Sequence, residues 1–152
     1  MKNDFVKLDA NSNELPADAT DHVLVLDRAN GLIWTADNLQ TKQDDEDDSE
    51  QHNFEAAEFA INKCAIAGFT DWRLPTIDEL STLIDRTRFK PATNIEFFPS
   101  TRNDYYWSNT PCAWAPGSGA WIVDFSLGFV GGNDRDGTAC VRAVRSVSPP
   151  SQ

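Results

Sequence analysis

Apolar positions along this chain follow two textures. Between residues 53 and 86 they recur at three- and four-residue intervals, and on either side they fall in short runs or alternate with polar residues. Phe54, Ala57, Ile61 and Cys64 form one stripe, with Asn53 placed as N-cap and Gly68 as the C-terminal stop, so a helix is expected there. Ile77, Leu80, Leu83 and Ile84 form a second stripe. Thr76 and Glu79 stand three apart at its start, the spacing of a capping box in which each side chain satisfies a backbone donor of the first turn, and the helix is expected to reach about Arg86.

Outside this region the pattern predicts strands. Val23–Leu26 and Leu32–Trp34 flank Asp27-Arg28-Ala29-Asn30-Gly31, and the Asn-Gly pair favours a hairpin turn. After Pro91 and Pro99 come Tyr105-Tyr106-Trp107, Ala120 to Phe125, Phe129-Val130 and Cys140 to Val144. Alternation in Trp121-Ile122-Val123-Asp124-Phe125 predicts that Trp121, Val123 and Phe125 face a core while Asp124 faces outward. Ser126-Leu127-Gly128 reads as a turn and Gly131-Gly132-Asn133-Asp134 as a wider loop. Two helices between an N-terminal hairpin and C-terminal strands make an α+β domain, with the last strand expected to return beside the first.

Composition sets the boundaries. The 152 residues are 40% hydrophobic with five Trp and nine Phe, enough for one core, placed over residues 21–146. Residues 1–20 read as an extended arm or loosely attached leader, 147–152 as a polar tail, and 41–52 as a solvated loop around the run Asp44 to Glu50. The net charge of -11 argues against binding a nucleic-acid phosphate backbone, which needs a basic surface. No long apolar run is present, so membrane insertion is not expected. Lys2, Asn3, Asp4 and Lys7 interrupt any secretion signal after Met1, so synthesis in the cytoplasm is expected. Cys64, Cys112 and Cys140 form no metal-type pair; an all-reduced chain is the default, and a Cys112–Cys140 disulfide stays open.

Several separated motifs occur in a characteristic order: Gly31-Leu32-Ile33-Trp34, the helix from Phe54, Asp71-Trp72-Arg73-Leu74-Pro75-Thr76 with Glu79-Leu80, Tyr106-Trp107-Ser108, and Val141-Arg142-Ala143-Val144-Arg145. In this order they resemble the Lcl C-terminal-domain family, named for the C-terminal domain of the Legionella collagen-like adhesin, over about residues 22 to 146. The resemblance implies a C-type-lectin-like fold, related to formylglycine-generating domains, with two helices on a twisted antiparallel sheet. It also implies a binding surface made by the loops among the later strands. The residues carrying it, Trp34, Asp71, Trp72, Arg73, Pro75, Thr76, Glu79, Trp107, Arg142 and Arg145, are expected to build the scaffold. A short form without a stalk would suit a bacteriophage or prophage product.

The candidate ligand-binding residues lie in the C-terminal loops: Tyr105, Asn109, Trp114, Ser118, Asn133, Asp134, Arg135 and Asp136. Trp114 sits in a segment without strand alternation and is the expected anchor for a protein or glycan surface. Asn133, Asp134 and Asp136 beside two glycines could offer oxygen ligands to Ca²⁺, but turn chemistry explains them too, and no cofactor is expected. His22 and His52 sit in no nucleophile or metal motif, and the surroundings of Cys112 and Cys140 do not match the redox motif of formylglycine-generating enzymes, so no enzyme is expected. The expectation is therefore a non-enzymatic recognition or adhesion module. The alternatives are a phage head or tail decoration protein packed against a neighbouring virion protein, and an acidic intracellular inhibitor or nucleic-acid mimic. Self-association as a homo-oligomer is open.

Overall fold

The computed structural model describes residues 3–39 and 51–147. The chain runs β1 (Phe5–Leu8), β2 (Leu24–Asp27), β3 (Leu32–Thr35), α1 (Phe54–Asn62), α2 (Ile77–Ser81), β4 (Tyr105–Pro111), β5 (Gly119–Asp124), β6 (Phe129–Asp134) and β7 (Val144–Ser146). Its strands form two antiparallel sheets, in the orders β1-β2-β3-β7 and β4-β5-β6, so the α+β class holds while the single expected sheet becomes two. The last strand does return to the N-terminal sheet, but beside β3 rather than beside the first strand. The acidic run Asp44 to Glu50 and the tail after Val147 lie outside the described residues.

The N-terminal hairpin is organised by a buried carboxylate. Asp27 accepts from the N–H groups of Asp4 and Ala29 at 3.1 Å each and from the side-chain amides of Asn3 and Asn30 at 2.8 and 2.6 Å. Gly31 supplies the left-handed residue of the turn, at φ 64°, and Asn30 does not adopt a positive φ. The segment expected to be an arm contributes β1, which pairs with β2 from Phe5↔Asp27 to Leu8↔Leu24. Its aromatic partners are far away in sequence: Phe5 meets Phe97 and Phe98 with ring centroids 5.2 and 5.5 Å apart.

Helix α1 starts where the sequence pattern puts it, with Asn53 Oδ1 accepting from the Ala56 N–H at 2.8 Å. Phe54, Ala57 and Ile61 are buried, and Lys63 rather than Gly68 caps its end. Helix α2 carries the full capping box at Thr76 and Glu79 but spans only Ile77–Ser81, short of the expected Arg86. Hydroxyl groups compete for its carbonyls: Ser81 Oγ donates to Ile77 O at 2.7 Å and Thr82 Oγ1 to Glu79 O at 2.6 Å, and the next backbone bonds tighten to three-residue spacing.

Two apolar clusters fill the interior. One gathers Leu24, Ile33, Phe54, Trp72, Trp107 and Ile122; the other gathers Val25, Trp34, Leu80, Tyr106, Val123 and Phe125. β5 therefore buries Ile122 and Val123 on opposite faces. Gly131 to Asp134, expected as loop, continue β6, because the turn at Ser126–Gly128 sets a register that runs unbroken from Asp124↔Phe129 to Gly119↔Asp134. Cys140 to Val144, expected as one strand, is a link between sheets: Cys140 bridges Tyr106 in parallel, and only Val144 joins β7.

Candidate functional site

The run from Asp71 to Glu79 is tied down at nearly every residue. Arg73 exchanges backbone bonds with Val144 at 2.9 and 3.0 Å, stitching the approach to α2 onto β7. Its guanidinium forms a two-pronged pair with Glu79 at 2.7 and 2.9 Å, and Arg145 does the same with Asp71 at 2.7 and 3.0 Å. The Arg145 guanidinium lies over the Phe69 ring at 3.8 Å. Trp72 is buried and donates from Nε1 to Ile66 O at 3.1 Å, and the Pro75 carbonyl accepts from the Asn109 N–H at 2.8 Å. The hydrogen bond from Arg145 holds the Asp71 carboxyl below its ordinary value. Burial pushes the Glu79 carboxyl up, but the bonds from Arg73 and Thr76 outweigh burial and leave it lowered. These groups spend their hydrogen-bonding capacity on the fold.

Arg142 occupies a second interior position. It is fully buried, with Nη2 donating to Asn38 Oδ1 at 3.2 Å and Thr101 Oγ1 at 3.1 Å, and its plane lies 4.6 Å from the Phe98 ring centroid. Burial lowers its pKa. Tyr106 donates to Asn38 Oδ1 at 2.7 Å, and burial pushes its hydroxyl up to about 12. Trp34 and Trp107 are core side chains, and Trp107 Nε1 donates to His52 O at 2.8 Å.

Six of the eight sequence-selected ligand residues converge at one end of the second sheet. Arg135 N–H donates to Ser118 O at 2.9 Å and its guanidinium to Pro116 O at 3.4 Å, which brings the 112–118 loop against the 135–138 turn. Asp134 Oδ1 accepts from the Asp136 N–H at 2.9 Å and Asn133 Nδ2 donates to Thr138 O at 3.3 Å. The acidic and amide groups therefore close the turn. Trp114 is 67% exposed, and its ring meets Trp121 edge to face at a centroid distance of 5.1 Å. The contact needs a glycine: a Cβ on Gly132 would come within 2.8 Å of Trp114 Cζ2. Trp121, expected in the core with Val123 and Phe125, is instead half-buried beneath Trp114, because the sheet face it shares with Val123 runs out of core at this end.

The other two candidates go elsewhere. Tyr105 pairs with Asp124 at the far end of the sheet. Asn109 donates backbone and side-chain bonds to Pro75 and Leu74 carbonyls, which makes it part of the scaffold. Phe129 and Val130 lie on a strand as the sequence predicts, but patterning did not indicate that they are 63% and 43% exposed. The glycines that follow them were the available signal, since a strand that continues through Gly-Gly has no side chains there to bury.

His22 Nε2 contacts Phe97 O at 2.7 Å and His52 Nε2 contacts Leu39 O at 3.3 Å. No disulfide joins the three cysteines, and Cys112 and Cys140 are buried. Among the described residues no three His, Cys, Asp or Glu side chains are grouped to hold a metal ion, and no helix is long and apolar enough to cross a membrane. Compared with known protein families, residues 23–145 match the model of the Lcl C-terminal domain. Among curated proteins there is no match.

Proposed function

We propose, since this chain belongs to the Lcl C-terminal domain family, that it is a non-enzymatic recognition module whose binding surface is the 112–118 loop, the adjoining part of β6 and the 135–138 turn. One observation carries the reading. Trp114 is two-thirds exposed yet held in a fixed orientation by Trp121 and by the missing side chain of Gly132, an arrangement that presents a large amphipathic ring at little entropic cost on binding. The family's adhesin-like character supports the same assignment. The engaged state of both histidines and the burial of Cys112 and Cys140 support the absence of a catalytic role. A C-type-lectin-like fold belongs to this proposal, supported by the clustering of the later loops at one end and by the return of β7 to the N-terminal sheet.

The test is a screen of the full chain on arrayed glycans and on displayed extracellular proteins, with Trp114→Ala and Phe89→Ala run in parallel. Phe89 is equally exposed but lies in a different loop. Binders found with the native chain are expected to lose roughly tenfold or more in affinity with Trp114→Ala and to keep it with Phe89→Ala. The reverse pattern would overturn the assignment.

A further inference from the structure

Two sheets have four outer edges, and the chain closes three of them itself. Beside β1, Leu15 N–H donates to Lys7 O at 2.8 Å and Leu8 bridges Glu14. Beside β7, Arg73 exchanges both backbone bonds with Val144. Beside β4, Trp107 N–H donates to Cys140 O at 3.0 Å and Cys140 N–H to Tyr105 O at 2.7 Å. Among the described residues, no strand pairs with the outer side of β6, and its backbone is engaged there at the last residue, where Asp134 O accepts from the Gly137 N–H at 2.8 Å. That strand also lacks the lysine or proline that commonly protects a free edge, and it exposes Phe129 and Val130.

The hydrogen-bond alternation shows what the edge offers. Arg135 N–H bonds to Ser118 O, so Asn133 and Gly131, two and four residues back, bond inward to β5. Val130 and Gly132 therefore turn their N–H and C=O groups outward, whereas the Asp134 carbonyl on the same side is taken by the Gly137 N–H.

We propose that β6 pairs antiparallel with β6 of a second copy of this chain, across a two-fold axis at Gly131. This register places Val130 of one copy opposite Gly132 of the other and Phe129 opposite Asn133, so the facing residues from Phe129 to Asn133 carry no charge. The two Asp134 residues then lie about 20 Å apart along the strands, six residues at strand rise. That exceeds the Debye length of about 8 Å at physiological salt. A register centred on Gly132 would instead set Val130 against Asp134. Residues directly opposite in a sheet share a face. Val130 of each copy therefore comes beside the Trp114 ring that fills the space over Gly132 in the other. Val130 meets a Trp114 ring on both sides of the axis, and the sheet edge left open among the described residues is closed by its own copy.

Sedimentation equilibrium of the full chain without ligand tests this, using the native sequence, Val130→Lys and Val130→Pro. The lysine places a hydrated charge against Trp114, while the proline removes an N–H that points away from β5, so both spare the monomer's own bonds, as matching melting temperatures would verify. The native chain is expected to show a concentration-dependent monomer–dimer equilibrium that strengthens with salt, since each copy carries a net charge of -11. Both variants should raise the dimer Kd by about tenfold or more. A native chain that stays monomeric, or variants that dimerise as well as the native chain, would overturn the proposal. Because no ligand is present, either outcome is independent of the binding assignment for Trp114.

Discussion

Glu79 accepts two bonds from Arg73 and one from the Thr76 N–H at 2.9 Å, so a single carboxylate closes both the helix start and the link to β7. Its folded pKa lies below the unfolded 4.5, and that of Asp71 below 3.8. For both groups the unfolded chain binds more protons across the window between the two values, so their stabilisation is present above the unfolded pKa and is lost as pH falls through the folded one. The melting temperature is accordingly expected to be flat above about pH 5 and to drop on further acidification. In Glu79→Gln, which keeps a capping amide but loses the charge pair, thermal unfolding should start lower and fall less steeply with acid. An unchanged slope would show that the pair does not contribute. Residue identity was legible here in one respect only: the Thr76 and Glu79 spacing announces the cap, but nothing local announces that Arg73 and Arg145 are the cationic partners. Arg145 is 74 positions from Asp71.

At the scale of elements, starts were easier to read than ends. Asn53 and Thr76 begin their helices because a side-chain oxygen three residues before an unpaired N–H is a local arrangement, whereas α2 stops at Ser81 because hydroxyls at Ser81 and Thr82 take its carbonyls and, just beyond it, Leu83 O accepts from Thr93 Oγ1. Thr76→Ala removes one of the two reciprocal bonds and is expected to cost about 1 kcal/mol, read as a lowered urea midpoint with an unchanged slope. A loss of nothing measurable would mean that Arg73 and Glu79 hold the turn without the cap. Strands were read less well than helices where they depend on partners. Phe5–Leu8 becomes β1 only because β2 and the Phe97–Phe98 pair are there to receive it, and Gly131–Asp134 becomes strand only through the register that β5 imposes.

In the whole molecule, the motif-bearing residues and the exposed ones separate in space. Asp71, Arg73, Glu79 and Arg145 join α2 to the first sheet, and Arg142 with Tyr106 links residues 36–38 to the second. The Trp114 end of the second sheet is tied elsewhere, to the start of α1, where the Arg135 carbonyl accepts from the Phe54 N–H at 3.0 Å and the Arg135 guanidinium lies 4.5 Å from the Phe54 ring centroid. The α+β class and the location of the exposed tryptophan were legible from patterning, because a loop Trp without alternation has no strand to carry it inward. The division into two sheets was not, since a link such as Val141–Ala143 reads as strand until its hydrogen bonds to Leu39 and Thr35 are seen. The most direct test of this division of labour is hydrogen–deuterium exchange of the full chain with and without a ligand taken from the binding screen. Added protection is expected at residues 112–118 and 129–138, with no change over residues 71–81; protection centred on Asp71 to Ser81 instead would contradict the account.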